Sequence, residues 1–325
     1  MIRYEKIDLL KGIAIILVVM GHAMSDITYM TFPFNVIYSF HMPLLFFLSG
    51  YLLELTQFKY MQMGIFKFIR RKTVSLLLPY TIWTVLVPWL FSIFDMEVLR
   101  NSLVSVTGIN GGGMWFLPVL FGLNLMYAFI WFLRERIFKQ KDGFIKDVML
   151  VFAAVILLLV LIVITKYPYL TNMLSYAIPF FFGVFTNKYS FIEKIVKTKW
   201  ICVLAIGLYI VLFPTFDFYN TSMMTQVKRI VLSVFIIIVL WNLCAKETYQ
   251  NIVLKFIIVC GKYSLAIYLI HGYLSKWKLI LERFDSVILG TGITVLGSVL
   301  MCAVCILCAK ILEKNKITGK LFLGK

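Results

Sequence analysis

Three histidines serve the whole chain of 325 residues, and each lies inside an apolar stretch of membrane length. Imidazole is the side chain that most readily takes and returns a proton near neutral pH. His22 follows Lys11 by eleven residues on the first apolar run. Eleven helical steps of about 100° return the chain to within roughly 20° of its starting direction, about 16 Å further along the axis. Asp8, Lys11, His22 and Asp26 therefore share one helix face, with Ser25 beside it. Titratable groups in lipid cost free energy unless they face a wet or functional interior, so this stripe is the first candidate site.

His41 lies about six residues into the second apolar run, within Tyr38-Ser39-Phe40-His41-Met42-Pro43. His22 lies about five residues before the end of the first. Two antiparallel neighbours thus bring two imidazoles to similar depth, where Pro43 removes a backbone donor. Ser264, Tyr268 and His271, spaced four and three apart, form a second polar stripe. It either lines the same cavity or makes an interhelical hydrogen-bond seam. Counted along a straight span, His271 lies about seven to nine residues from the inner end, at a depth unlike that of the other two histidines.

Arg70, Arg71 and Lys72, with Lys67 nearby, offer an anion site at the mouth of the third apolar run. Ordinary anchoring by cytoplasmic cations accounts for them; so does a polyphosphate ligand, since guanidinium forks grip phosphate at two points. Cations inside, bases towards the outside and Lys11 between them suit a long donor with a phosphorylated end, such as coenzyme A. No metal site is expected, because three histidines at unlike depths do not converge as ligands must. The Cys302, Cys305 and Cys308 run resembles iron–sulfur spacing. It lies in the last apolar helix without a nearby fourth ligand and reads as helix packing. There is no nucleotide-type phosphate loop, no Gly-x-Ser-x-Gly turn and no pair of mid-membrane carboxylates.

The elements that must hold these residues follow from composition. The chain is 62% hydrophobic and only 14% charged, with mean hydropathy +0.93, whereas soluble chains are about 25% charged. It reads as an all-α, polytopic membrane helix bundle forming one domain over 1–325. About ten spans are expected, near 9–27, 35–55, 73–94, 114–133, 147–165, 170–187, 200–214, 230–245, 262–280 and 288–309. That arrangement puts 25 of the 32 Lys and Arg on the side of both termini, which is cytoplasmic by the positive-inside rule. The net charge of +17 is therefore a topology signal and not a nucleic-acid footprint. Gly21-His22-Ala23 passes for a leader cleavage site, but cleavage would leave an odd number of spans with inverted charge bias.

Several motifs occur in order: Lys11 ten positions before the residue preceding His22, Phe40-His41-Met42-Pro43, Phe47-Leu48-Ser49-Gly50-Tyr51, Trp115-Phe116-Leu117-Pro118, and Tyr263-Ser264-Leu265-Ala266-Ile267-Tyr268-Leu269-Ile270-His271. As a set they resemble the integral-membrane acyltransferase-3 family over essentially the whole chain. The resemblance implies transfer of an acyl group, usually acetyl, from cytosolic acyl-CoA to a hydroxyl of an envelope glycan. It implies that His22 is the essential histidine, with Lys11 as its basic partner. It also implies that Arg70, Arg71 and Lys72 contact acyl-CoA. Two positions depart from the family: Val74-Ser75-Leu76 where a further arginine is common, and Gly113 where many members carry histidine. The short chain resembles stand-alone members with no appended esterase-like domain.

The expected protein is a multi-pass O-acyltransferase of the bacterial cytoplasmic (inner) membrane. Acyl-CoA is its co-substrate, no cofactor or metal is permanently bound, and the acceptor is an envelope glycan or lipid-linked saccharide. His22 is the expected general base or transient acyl carrier. His41 orients it or the acceptor. Lys11, with Asp8 one turn away, holds the donor arm or the oxyanion. Trp115 and the Gly111-Gly112-Gly113 loop shape the acceptor mouth, with Ser264, Tyr268 and His271 in support. The rival readings are a transporter of a glycan or small polar solute, using the stripe as a path, and a structural partner in polysaccharide synthesis.

Overall fold

The computed structural model describes residues 5–24, 32–61, 64–107, 114–138, 143–220, 222–244, 249–274 and 287–325. Every regular element among them is helical, as an apolar chain that must satisfy its own backbone in lipid requires. In chain order these are α1 (Glu5–Ala23), α2 (Phe32–Met61), α3 (Ile65–Phe91), α4 (Met96–Val106), α5 (Phe116–Phe138), α6 (Phe144–Thr165) and α7 (Pro168–Lys188). There follow α8 (Ser190–Lys197), α9 (Lys199–Leu212), α10 (Met223–Leu243), α11 (Ile252–Lys262), α12 (Ser264–Leu274), α13 (Val287–Glu313) and α14 (Lys316–Leu323).

Six of these are long and apolar enough to cross a membrane: most of α2, then α3, α5, α6, α10 and α13. Counting each bent pair as one span, α8 with α9 (65°) and α11 with α12 (86°), raises the number to eight. The remaining two of the ten expected segments coincide with α1 and α7. Helix α1 carries Glu5, Lys6, Asp8 and Lys11 within its 19 residues, and α7 carries Thr171, Asn172 and Ser175. Length and composition thus support six to eight spans.

The chain divides into two compact units, each discontinuous in sequence. The first comprises residues 1–52 and 182–311. Its axis is the seat of α1 on α11. A Cβ added to Gly12 would lie 1.9 Å from the Ile257 carbonyl oxygen, and one on Gly261 would lie 1.7 Å from that of Asp8. Only glycine permits two backbones so close. The pairing of Gly12 with Ile257 and of Asp8 with Gly261 runs the two helices in opposite directions. Where α1 begins, the Lys6 ammonium stands 3.6 Å above the Trp241 ring, and the Glu5 carboxylate accepts from the Tyr249 amide at 3.2 Å. Phe47 and Tyr51 pack on the same indole, at 5.4 and 4.9 Å between ring centroids. At the other end of α1, Met24, Phe34 and Ile37 form a core that Tyr38, Phe218 and Tyr219 close over.

The second unit comprises residues 53–181 and 312–325. Helix α3 passes through two π-helical turns, 73–77 and 82–86, on either side of Pro79. The C-terminal α14 docks there: Trp83 Nε1 donates to the Phe322 carbonyl at 2.8 Å, and Gly324 (φ 67°) sits against the Ser75 carbonyl. The C-terminal stretch, with Lys316 and Lys320, thus includes a helix packed on α3. Two buried carboxylates lie in this unit. Glu54 accepts from the Tyr127 hydroxyl at 2.7 Å, and Asp147 lies 3.5 Å from Arg134 Nε.

Candidate active site

The first unit brings all three histidines into one neighbourhood at the C-terminal end of α1. The His22 and His271 rings are 5.3 Å apart between centroids, tilted by 42°. Tyr38 lies beside Gly21, where an added Cβ would come within 2.9 Å of its ring, and it meets the His41 ring edge-on with centroids 4.9 Å apart. His22 and His41 lie close enough to interact electrostatically. The depth expected for His271 is therefore overturned. Depth counted along a straight span fails because the chain bends by 86° between α11 and α12, at Tyr263.

Burial separates the three. His41 and His271 are 5% and 6% exposed, whereas His22 is open at the wall of the site. The buried pair are also fixed in tautomer. His41 Nδ1 lies 2.7 Å from the Ile37 carbonyl and His271 Nδ1 lies 2.9 Å from that of Ile267. A carbonyl oxygen only accepts, so each Nδ1 carries the proton and each neutral ring keeps its lone pair on Nε2. The site thus holds one accessible imidazole beside a buried one whose neutral form has its basic nitrogen at Nε2.

Tyr268, buried, lies one turn from His271 with ring centroids 6.1 Å apart, and Ser264 begins the same helix, half-buried. Tyr268 thus stands beside the histidine site, with Ser264 two turns from His271 on the same helix. Asp8 and Lys11 are half-buried on α1. Helical rise puts Lys11 about 16 Å along α1 from His22, a separation that suits holding the donor arm.

The other sequence candidates belong to the second unit. Arg70 and Arg71 are exposed and Lys72 is half-buried on α3, where Lys72 also lies over the Phe68 ring at 5.6 Å. Trp115 stacks on Tyr176, 5.2 Å between centroids and 21° from parallel. Ser25, Asp26 and the glycines at 111–113 lie outside the described residues. Cys302 and Cys305 are buried free thiols in α13, with Cys302 hydrogen-bonded to the Cys260 thiol of α11, which fits helix packing.

Two residues of the site escaped the sequence reading. Tyr38 precedes His41 by one turn, so helical spacing could have flagged it. Arg229 is the seventh residue of α10 and lies within electrostatic reach of His41. It is an arginine set inside an apolar helix, which is itself a functional signal.

The sequence model of the acyltransferase-3 family, described as an acyltransferase domain, matches residues 4–310. The chain belongs to this family. The match takes in every candidate residue from Asp8 to His271, so the site just described is that of a multi-pass membrane member of the acyltransferase-3 family. Among curated proteins it is similar to the nodulation protein NolL of Mesorhizobium japonicum, 32% identical over 35% of this chain and 32% of the relative. It is also similar to NolL of Sinorhizobium fredii, 29% identical over 54% of this chain and 46% of the relative. The matched stretch thus spans less than half the length of either relative. No solved structure matches significantly.

Proposed function

We propose that this protein transfers a short acyl group, acetyl in the first instance, from cytosolic acyl-CoA to a hydroxyl of a cell-envelope glycan or lipid-linked saccharide. It acts in the bacterial cytoplasmic membrane with both termini inside. The observation that carries the reading is the exposed His22 imidazole backed at 5.3 Å by buried His271, in a chain of an acyltransferase family.

The chemistry suits that pair. A basic nitrogen of His22 takes the acceptor hydroxyl proton as the oxygen attacks the thioester carbonyl. The new C–O bond forms, the C–S bond breaks, and the sulfur leaves as thiolate, which takes the proton back from His22 to give the free thiol. His271 Nε2 stabilises the imidazolium formed midway. His271 is given this role because its ring is in contact with His22, while His41 keeps the expected role of orienting His22 or the acceptor. Lys11 meets the donor arm along α1, and phosphate binding by Arg70, Arg71 and Lys72 is inferred from their residue types alone.

Labelled acetyl followed from acetyl-CoA into envelope glycan, in membranes holding the intact protein or His22→Ala, tests the proposal. Incorporation by the first should fall by about 10²- to 10⁴-fold in the second at equal protein level. Retained transfer would sink the role of His22. No incorporation by well-expressed intact protein, with acetyl-CoA or succinyl-CoA, would favour a transporter.

A further inference from the structure

Helix α4 is 11 residues long, about 16 Å by helical rise, roughly half of what a membrane span needs. Asp95 caps its start, accepting from the Glu97 amide at 2.8 Å. One side packs onto α3: Ser102 is buried, and the Tyr80 hydroxyl donates to the Val106 carbonyl at 3.3 Å. The other side is a stripe at helical spacing, Met96, Leu99, Arg100, Leu103, Val104 and Thr107, which lines a shallow groove of ≈ 360 Å³. Met96 and Leu103 are exposed to 67% and 54%.

The turn leading into α4 points the same way. Ile93 and Phe94 take left-handed backbone conformations, φ 57° and 67°, while holding their side chains 85% and 58% exposed. A β-branched residue at positive φ is strained. Strain that presents two large apolar side chains outward is unfavourable in water and is offset when lipid covers them. An amphipathic helix too short to cross, with an apolar turn at its start, therefore lies in the plane of the membrane interface. Arg100 sits in the middle of its apolar stripe, and among the described residues no carboxylate pairs with it. Its aliphatic stem suits acyl chain and its guanidinium suits phosphate at headgroup level.

We propose that the α4 groove holds an anionic phospholipid of the surrounding bilayer, with its phosphate on Arg100 and an acyl chain along Met96, Leu99 and Leu103. This stands independently of the proposed reaction. Hydrogen–deuterium exchange of the intact protein in nanodiscs, read at residues 95–107, tests it. Replacing part of the phosphatidylcholine with phosphatidylglycerol should slow exchange there by about five-fold, as expected for one cation at a charged headgroup. Arg100→Gln should lose that difference, and Arg100→Lys should keep most of it. Equal protection in both lipids, or a difference that survives Arg100→Gln, overturns the proposal. So does protection that follows inorganic phosphate in pure phosphatidylcholine, which assigns the site to the free ion. Protection that follows the number of protein copies per disc would make a second copy the occupant and overturn it as well.

Discussion

The carbonyl of Ile267 determines what His271 can do, because it holds the proton on Nδ1 and leaves Nε2 as the basic nitrogen beside His22. Replacing His271 by phenylalanine keeps a ring of similar size and removes that nitrogen. If His271 steadies the imidazolium of His22, kcat should fall by about 10²-fold with little change in KM for acyl-CoA. The split between kcat and KM is the measurement, because a merely structural role would lower the amount of folded protein instead. Unchanged kcat would return His271 to a packing role. The His22 stripe was legible because eleven residues is close to three helical turns. The contact with His271 was not, because it depends on the bend at Tyr263, and hydropathy through that stretch is continuous.

At the scale of elements, the seat of α1 on α11 depends on two glycines that a sequence reading passes over as ordinary helix residues. Valine at Gly261 would put its Cβ into the Asp8 carbonyl, where neither backbone has room to move. Gly261→Val should therefore destabilise by about 1–3 kcal/mol or more. A control, Gly207→Val, has nothing within 4 Å of the added carbon and should be nearly neutral. Thermal unfolding in the same detergent compares them, and equal midpoints would mean that the α1–α11 seat is unimportant. Apolar runs placed the helices themselves well, since a membrane helix is written in composition. Their mutual approach was hidden, because close backbone contact leaves no mark but a small residue. Phe47 and Tyr51, part of the motif that signalled the family, prove to pack around Trp241 and the start of α1.

For the whole molecule, the division into two units separates the histidines from the Arg70-Arg71-Lys72 cluster. The histidines, Asp8, Lys11, Ser264 and Tyr268 belong to the first unit; Arg70, Arg71, Lys72 and Trp115 belong to the second. Charge asymmetry along the chain leads to an expected orientation, yet nothing in it marks this partition, because each unit is assembled from segments far apart in sequence. Within the first unit, α1 keeps Lys11 and His22 on one face at a fixed interval of three turns. That interval acts as a ruler. A donor short enough to rest at His22 alone forgoes whatever Lys11 contributes, whereas one with a long arm is measured against both marks at once. An acetyl thioester of a truncated arm should therefore lose kcat as well as affinity relative to acetyl-CoA, since remote binding drives the chemical step. Equal turnover of the two donors would show that the protein reads the reactive tip and ignores the length behind it.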